Sequence, residues 1–264
     1  MDKTRIGLVG FGYIGRYLFE QIRQRPELGL EIGFVHNRSG NRLADVEETV
    51  VLGDLEAFAQ CRVDLVVEVA HPDITLRYGE AFLAQADYMP LSLTALADAT
   101  VEEKLRQQAE ENGKRLFVPH GAVVGLDALE EGRQMWDEVS ITMKKPLRSL
   151  DFAAAAHLGP QGIDGETVLY DGPARGLCPL FPRNVNSHAA VALAGVGFER
   201  TRSVLVADPQ LDDSIIELRA RGGGVELDIR RANPMQGVSG VFTLMSTLAS
   251  IGRAGKGKPG LQVC

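Results

Sequence analysis

Three glycines near the start of the chain have the spacing of a loop that binds a dinucleotide. They form a GxGxxG pattern between a short aliphatic run and a stretch of helical periodicity. In such a loop the first glycine makes a tight turn, the second lets the backbone approach a pyrophosphate, and the third lets helix and strand pack closely. The helix N-terminus adds amide donors and a positive dipole. The predicted binding residues here are Gly10, Gly12, Tyr13, Ile14 and Gly15.

The end of the second predicted strand bears on which dinucleotide is bound. A carboxylate at this point accepts a hydrogen bond from the ribose 2′-hydroxyl and repels a 2′-phosphate. This chain has His36, Asn37 and Arg38 instead, and a guanidinium pairs well with a phosphate. Asn37 and Arg38, with Ser39 and Arg42 nearby, therefore favour NADP, while NAD remains possible. The alternative is that Arg38 is a solvated loop charge.

Strands alternate with helices over the first part of the chain. Periodicity predicts strands at 5–10, 30–35, 64–70, 88–92 and 115–118, and helices at 13–24, 55–60, 75–86 and 100–112. This alternation is typical of parallel βαβ units in a doubly wound sheet. Because ligands bind at the carboxyl ends of such strands, Ala70 and His71, which close the third strand, are expected beside the nicotinamide ribose.

The pattern changes after about residue 125, where strands follow one another with few helices between them. Predicted strands lie at 139–145, 149–155, 203–207, 215–220 and 225–230, and helices at 126–136, 187–196 and 239–251. We expect a mostly antiparallel sheet with one face on a helix. The segment 252–264 is expected to be a loose tail. The fold class is therefore α/β, a Rossmann-type doubly wound parallel sheet with a second α+β domain.

Composition and charge exclude several classes of protein. A chain of 264 residues, 45% of them hydrophobic, is long enough for about two domains and for a core without disulfides or metals. The net charge of -7 and the scattered basic residues leave no electrostatic footprint for nucleic acid or an anionic membrane. Cys61, Cys178 and Cys264 share no CxxC spacing, so no metal site is indicated and they are expected to be cytosolic thiols. With no signal peptide or spanning segment in the pattern, a cytoplasmic location is expected.

Motifs outside the glycine turn are much more specific than that turn. They are Ala95-Leu-Ala-Asp98, Gly121-Ala-Val-Val-Gly-Leu-Asp127, Phe181-Pro-Arg-Asn-Val-Asn186 and Val206-Ala-Asp-Pro209. Together with the glycine turn they resemble the L-aspartate dehydrogenase family. Gly176-Leu-Cys-Pro179 is of a type shared with the animal aspartate-dehydrogenase-domain-containing proteins. The resemblance covers nearly the whole chain.

The resemblance implies an architecture and a reaction. It implies a dinucleotide-binding domain at 1–124 completed by a C-terminal helix at 233–264, a substrate and dimerisation domain at 125–232, and an active site in the cleft between them. The implied reaction oxidises aspartate to iminosuccinate with NAD or NADP, or runs the reductive amination of oxaloacetate with ammonia. Ala122 matches the family's alanine beside the nicotinamide, and Asn186 matches its cofactor-contacting asparagine. The alternative for Asn186 is a plain helix N-cap.

The chain departs from the family at the catalytic histidine. That histidine lies a few residues beyond the aspartate-proline pair, where Ser214 stands in this sequence, and no histidine follows His188. A serine has no pKa near neutrality with which to replace an imidazole. His120 and His188 stand inside family motifs and are the candidate catalytic residues. The alternative for each is a partly buried histidine whose hydrogen bonds are made by backbone groups.

A dicarboxylate or amino-acid substrate needs cationic partners. The second domain offers four candidates, namely Lys144, Lys145, Arg175 and Arg183. Arginine suits a carboxylate best because its planar fork bonds both oxygens. Any of the four could instead be a surface charge, and spacing does not select among them. Asp127 and Asp208 could orient a base or cap a turn.

These observations predict an NADP-preferring dehydrogenase that acts on an amino acid or its imine, with aspartate implied by resemblance. One alternative is a dinucleotide-binding protein without turnover, serving as a sensor or partner subunit. Another is a reductase of a different imine or 2-oxo acid, because the family histidine is missing. A sheet face left uncovered by helix would expose apolar strands, which favours a homodimer.

Overall fold

The computed structural model describes residues 3–236 and 239–255. These residues form two compact units. The first comprises 3–91, 103–119 and 244–255, and the second comprises 92–102, 120–236 and 239–243. The segment 92–102 thus joins the second unit, which the sequence pattern did not indicate. Most of the predicted tail, from residue 256 onward, lies outside the described residues.

The first unit contains a parallel sheet of order β2-β1-β3-β4. The elements in chain order are β1 (Thr4–Val9), α1 (Tyr13–Gln24), β2 (Leu30–His36), β3 (Leu65–Glu68), α2 (Pro72–Leu83), β4 (Asp87–Pro90) and α3 (Ala99–Glu111), of which residues 99–102 are counted with the second unit. Every residue of β3 is buried, as expected for a central parallel strand covered on both faces. This arrangement confirms the doubly wound sheet that the alternating pattern predicts.

Three predicted elements of this unit differ in the structure. The strand expected at 115–118 is reduced to an isolated bridge between Leu116 and Tyr88, whose strand β4 is only four residues long. The helix expected at 55–60 is a 3₁₀ helix, Leu55–Cys61. Helix α2 begins three residues earlier than predicted, because Pro72 occupies its first turn and the His71 ring accepts a hydrogen bond from a backbone amide there.

The second unit contains a six-stranded sheet of order β10-β9-β8-β5-β7-β6. The remaining elements are α4 (Leu126–Glu131), β5 (Glu138–Pro146), β6 (Thr167–Pro173), α5 (Ala174–Leu177), α6 (Asn186–Ala194), β7 (Thr201–Asp208), β8 (Asp213–Gly222), β9 (Val225–Gln236), β10 (Ser239–Gly240) and α7 (Val241–Ala254). Strands β5 and β7 pair in parallel and the other neighbours pair antiparallel. The predicted, mostly antiparallel sheet is confirmed.

The predictions from the sequence pattern were wrong for two segments of this unit. Residues 149–155 are not a strand, because the Asn184 side chain takes their backbone groups: its amide donates to the carbonyl of Ser149 and its oxygen accepts from the N–H of Asp151. Strand β6 was not predicted, since its Gly172 and Pro173 weaken the pattern of a strand. The helix predicted at 126–136 ends at Glu131, directly before a glycine.

The two faces of the second sheet differ in character. Along β5 and β8 alternate residues are buried, and we call the face that carries Ile141, Met143 and Leu218 the covered face. On the opposite face, which the sequence pattern expected to be apolar, β8 and β9 exchange ion pairs: Arg219 with Asp228, Arg221 with Glu226 and Glu217 with Arg230. That expectation is wrong for these strands, and the homodimer stays a prediction. No helix among the described residues combines the length and apolar character needed to cross a bilayer.

Helix α7 contributes to the core of the first unit. Leu248, Ile251 and Ala254 are buried in the same hydrophobic cluster as Ile6 and Val67 of the parallel sheet. The predicted helix at 239–251 begins two residues later and extends to the alanine at 254. Apolar residues three and four positions apart lie on one face of a helix, which explains why this pattern was readable in the sequence.

Candidate functional site

Two glycines of the GxGxxG turn are required by the fold itself. Gly10 has a φ of 107°, and a Cβ added there would lie 2.9 Å from the carbonyl carbon of Val69 and from the Cβ of Ala70. A Cβ on Gly15 would overlap the carbonyl oxygen of Gly10. The first glycine therefore allows the turn and the third allows α1 to pack against it.

Gly12 is different, because the protein alone does not require a glycine there. Its φ of -83° and ψ of -153° are extended values open to any residue. A Cβ at this position would approach only the Arg42 Nη1 atom, at 3.9 Å. The space in front of Gly12, at the N-terminus of α1, is the space that a pyrophosphate would occupy in this type of loop. The residues present therefore fit a dinucleotide.

The residues after β2 hold the glycine turn in place. The Asn37 side-chain oxygen accepts a hydrogen bond from the Phe11 N–H (3.0 Å), and its amide donates to the Ser39 carbonyl (3.0 Å). The Gly10 N–H donates to the carbonyl of His36 (2.8 Å). Asn37 thus positions the loop, a role that spacing did not reveal. Arg38 is exposed.

The end of β3 is organised by a buried carboxylate. Glu68 accepts hydrogen bonds from the backbone N–H groups of Ala70 (2.6 Å) and His71 (2.8 Å). His71 is partly exposed and its Nδ1 atom accepts from the N–H of Asp73 (3.3 Å) at the start of α2. Glu68 therefore fixes the two residues predicted to lie near a nicotinamide ribose, and that role stays a prediction.

The family motifs of the second unit are joined by hydrogen bonds. The Asn186 oxygen accepts from the N–H of Thr94 (3.2 Å), and the Thr94 hydroxyl donates to the carbonyl of Pro182 (2.7 Å). Val185 occupies the N-cap position of α6, so the alternative that Asn186 is a plain N-cap is wrong. Its predicted contact with a cofactor is not tested by these bonds.

The segment with the other predicted cofactor and catalytic residues forms a turn. The N–H of Val123 donates to the carbonyl of His120 (2.8 Å), and Gly121 has a positive φ of 52°. His120 and Ala122 are half-buried. Asp127 and Asp208 accept hydrogen bonds from nearby backbone N–H groups at a helix start and in a turn, which matches the capping alternative.

Three basic side chains of the second unit lie close together, two of them buried and the third, Arg231, half-buried; we call Lys145, His188 and Arg231 the cation cluster. Lys145 lies on the covered face of β5 and is 4% exposed, and His188 in α6 is 0% exposed. Both ring nitrogens of His188, and the Nε and Nη1 atoms of Arg231, are buried without a hydrogen-bond partner. Such groups lose hydration and gain nothing in return, which costs about 1–3 kcal/mol each. The cluster is therefore suited to an anionic ligand.

Strand register places Ser214 at the same end of the covered face. Lys144 pairs with Ile215, so Lys145 lies one residue beyond the last pair of β5 with β8, at the level of Ser214. Ser214 in turn pairs with Asn233 of β9. Arg231 lies two residues before Asn233 in the chain and therefore on the same face of the sheet. Ser214 is 2% exposed. The position matched to the family histidine thus belongs to the end of the sheet that carries the cation cluster.

Burial and mutual repulsion set the protonation of the cluster. Burial, with a smaller effect of Arg231, lowers the pKa of Lys145 to about 8. Burial, with a smaller effect of Lys145, lowers the pKa of His188 to about 3, so its imidazole is neutral at physiological pH. Burial also lowers the pKa of Arg231. A neutral His188 can donate a hydrogen bond from one ring nitrogen and accept one at the other, but it lacks the second proton of an imidazolium, which is the one that acts as an acid near neutrality.

The other predicted substrate-binding cations have acidic partners. Lys144 donates to both oxygens of Glu166 (2.8 and 2.9 Å), and Arg183 donates to Asp151 (3.0 Å). Arg175 donates to Glu199 and to the backbone carbonyl of Ala97. Lys145 differs because the neighbour that shifts its pKa is another cation. The structure therefore singles out Lys145 among the four candidates.

Sequence reasoning missed Arg231, although a signal was available. Val139, Ile141, Met143 and Lys145 occupy alternate positions of β5, so the lysine falls in the register of the apolar face. Arg231 follows Ile229 with the same spacing in β9. A cation in an apolar register is the pattern that marks a buried charge.

Comparison with known proteins identifies the family. Residues 127–254 match the model of the C-terminal domain of aspartate dehydrogenase, and residues 10–119 match the NAD-binding domain of homoserine dehydrogenase. An aspartate dehydrogenase domain-containing protein of Xenopus tropicalis is 40% identical over 232 residues, which are 85% of this chain and 82% of that protein. This chain belongs to the aspartate dehydrogenase family.

Further relatives agree with the assignment to the aspartate dehydrogenase family. An L-aspartate dehydrogenase of Methanosarcina barkeri is 31% identical over 265 residues, which are 94% of this chain and 96% of that protein. The crystal structure of aspartate dehydrogenase from Thermotoga maritima matches with a TM-score of 0.72 and 28% identity, covering 95% of this chain and 94% of that one. The resemblance stated from the motifs is confirmed, and so is the fold class.

Substitution of Gly12 separates ligand binding from folding. We expect Gly12→Ala to change the free energy of unfolding by less than about 0.5 kcal/mol, because its backbone angles and its surroundings admit a Cβ. Dinucleotide binding should weaken about tenfold or more, because the methyl group fills the approach to the pyrophosphate. Urea unfolding and fluorescence titration with NADPH measure the two effects. Gly15→Ala is the matched control and should destabilise the fold. Unchanged affinity in Gly12→Ala would contradict the assignment of the loop.

Burial of neutral His188 predicts acid sensitivity. The unfolded chain takes up a proton at this histidine below its ordinary pKa of 6.5, whereas the folded chain does so only near 3. Stability is therefore complete above pH 6.5 and falls as the pH is lowered, with a slope of about 1.4 kcal/mol per pH unit from this one group. In His188→Leu this contribution to the pH dependence of the unfolding free energy should vanish. In the control variant His157→Ala, which changes an exposed histidine, it should persist. Equal slopes in wild type and His188→Leu, measured by urea unfolding without dicarboxylate buffers, would contradict the prediction.

Proposed function

We propose that this chain is an NAD(P)-dependent dehydrogenase that interconverts L-aspartate and iminosuccinate, the imine that hydrolyses to oxaloacetate and ammonia. Relatives named L-aspartate dehydrogenase, which span nearly the whole chain, support the reaction class. The match of residues 10–119 to an NAD-binding domain supports a nicotinamide dinucleotide as coenzyme. The cation cluster is the observation in this molecule that carries the choice of substrate.

A dicarboxylate has the negative charge and the hydrogen-bond acceptor oxygens that would complement the cation cluster. Aspartate, iminosuccinate and oxaloacetate each carry two carboxylates, which accept hydrogen bonds from guanidinium and ammonium groups. The unpartnered N–H groups of Arg231 and the buried amine of Lys145 can bond them. His188 lies in the first turn of α6, where the positive end of the helix dipole disfavours its protonation and favours a nearby anion. A bound dicarboxylate would therefore neutralise the cluster.

The roles of the chain's own residues follow from this arrangement. When bound, the nicotinamide ring accepts or donates a hydride at the α-carbon of the substrate. The backbone around Gly12 and the start of α1 would hold the pyrophosphate. The cation cluster would orient the carboxylates, and the covered face around it excludes water and so strengthens these electrostatic contacts.

We further propose a preference for NADP over NAD. No carboxylate occurs at 36–39, directly after β2, where one would bind a ribose 2′-hydroxyl. Arg38 is exposed at this point, and the Arg42 guanidinium lies beside Gly12. These two arginines supply charge for a 2′-phosphate, which a guanidinium binds with two N–H groups.

A second candidate function follows from Ser214. The buried Ser214 stands at the position that the resemblance matches to the family's catalytic histidine, and its hydroxyl does not exchange protons near neutrality. This observation favours a protein that binds the dinucleotide without dehydrogenase turnover, or one that reduces a different imine or 2-oxo acid.

The function is tested by following the loss of reduced-nicotinamide absorbance with oxaloacetate plus ammonium, and its gain with L-aspartate and the oxidised coenzyme. We expect turnover in both directions, and faster turnover with NADPH than with NADH. Coenzyme binding by fluorescence is measured in parallel. Tight coenzyme binding without turnover on either substrate would overturn the proposed reaction and support the second candidate.

The two arginines near the glycine turn should set the coenzyme preference. Arg38→Ala and Arg42→Ala are each expected to weaken NADPH binding by about ten- to a hundredfold, because a hydrogen bond to a charged group contributes about 1.5–3 kcal/mol. NADH binding should change little. Arg25→Ala is the control, since this exposed arginine pairs with Glu27 at the far end of α1. Equal losses for NADH and NADPH would mean that the arginines do not recognise a 2′-phosphate.

A further inference from the structure

We propose that Lys145 is the proton-transfer residue of this dehydrogenase and replaces, from the neighbouring strand, the histidine for which the chain has Ser214. The proposal rests on the proposed function and specifies how its site works. It assigns Lys145 a direct exchange of protons with the substrate nitrogen. Under the proposed function alone, Lys145 would serve only as a fixed positive charge.

The position of Lys145 in the sheet supports this role. It projects from β5 onto the covered face at the level of Ser214 in β8. Neighbouring strands lie about 4.8 Å apart, so the long side chain of a lysine on one strand can reach the region that an imidazole on the next would occupy. Ser214 itself is small and leaves that region to its neighbours. Ser214 of β8 and the buried amine of Lys145 in β5 are therefore neighbours across the two strands.

The surroundings of Lys145 leave it as the group of the cation cluster that titrates near neutrality. His188 faces it from α6 and stays neutral, while Arg231 faces it from β9 and stays charged. At the level of Lys145, Ala207 of β7 and Ser214 of β8 do not titrate in this range. Burial and Arg231 lower the pKa of Lys145 to about 8, and an acid-base catalyst works best when its pKa is near the operating pH.

The proton transfer balances without any additional reagent. In the direction of oxidation, the substrate ammonium gives one proton to the neutral Lys145 amine. One N–H bond breaks on the substrate and one forms on Nζ, which becomes an ammonium ion. The lone pair left on the substrate nitrogen is then available for the C=N bond. In the direction of amination the same proton returns from Lys145 to the nitrogen.

Substitutions of Lys145 distinguish proton transfer from a fixed charge. Lys145→Arg keeps the positive charge but does not release a proton, since the pKa of arginine is above 12. We expect it to keep the KM for the dicarboxylate within about threefold and to lose about a hundredfold or more in kcat, the range in which general acid-base catalysis contributes. Lys145→Met should lose kcat as well, and the limb of the pH profile near pH 8 should disappear in both variants. Lys144→Met is the control, because Lys144 points away from the covered face and pairs with Glu166.

Chemical rescue gives a second readout. Lys145→Ala leaves space for a small amine, and we expect methylamine or ethylamine to restore part of kcat. Rescue should improve as the pKa of the added amine approaches that of the lysine it replaces. A positive charge without proton exchange would not produce a dependence on amine basicity. If Lys145→Arg keeps wild-type kcat and an unchanged pH profile, the proposal is wrong and Lys145 is only an anchor.

A measurement without turnover separates this proposal from the proposed function. Succinate binding, followed by calorimetry at pH 8 in buffers of different ionisation enthalpy, reports the protons taken up. Binding of the dianion should raise the pKa of Lys145, so the wild type and Lys144→Met should take up about half a proton and Lys145→Met almost none. Equal uptake in Lys145→Met would overturn the role of Lys145 even if aspartate turnover were absent. Aspartate turnover that is unaffected in Lys145→Met would overturn it while leaving the proposed function intact, and a failure of succinate to bind would overturn both.

Discussion

Positive charge that is buried with no acidic partner among the described residues is the constraint on which the second unit of this protein depends. Lys145, His188 and Arg231 lie on or against the covered face of the antiparallel sheet, and the unpartnered nitrogens of His188 and Arg231 lose hydration without forming new bonds. The molecule responds by lowering the pKa values of all three groups. A site of this kind is less stable empty than filled with an anion, so its cost in folding is recovered on binding. Such a cost is typical of a functional site.

The glycine turn of the first unit shows a similar separation between folding and binding. Gly10 and Gly15 are needed by the backbone, which would collide with a Cβ at either position. Gly12 has room and ordinary backbone angles, and its missing side chain benefits only a ligand. Asn37 and Glu68 then hold the loops around the turn through bonds to backbone N–H groups. Rigid loops of this type keep the entropic cost of ligand binding low.

Ion pairing explains why most basic residues of the second unit are unsuited to the substrate. Lys144 and Arg183 are held by acidic side chains, so a carboxylate would have to displace an existing partner. Cross-strand ion pairs likewise occupy the face of β8 and β9 that lies opposite the covered face. The contrast between these satisfied charges and the cation cluster is the basis on which we propose that the substrate binds at one end of the covered face. On our proposal, the same buried amine also transfers the proton, a role that the resemblance to the family implies for a histidine.

The amino-acid sequence by itself determined the glycine turn, the parallel and antiparallel halves of the fold and the family, because each depends on residues close together in the chain or on a simple period. It did not reveal that residues 149–155 are bound by Asn184, or that β6 is a strand, since both depend on distant partners. It also left four cations equivalent and missed Arg231. Only the tertiary structure decided which of them is buried beside another cation and which are paired with carboxylates. The pKa of a side chain depends on the water that packing removes and on the charges it brings near, and neither is present in the local sequence.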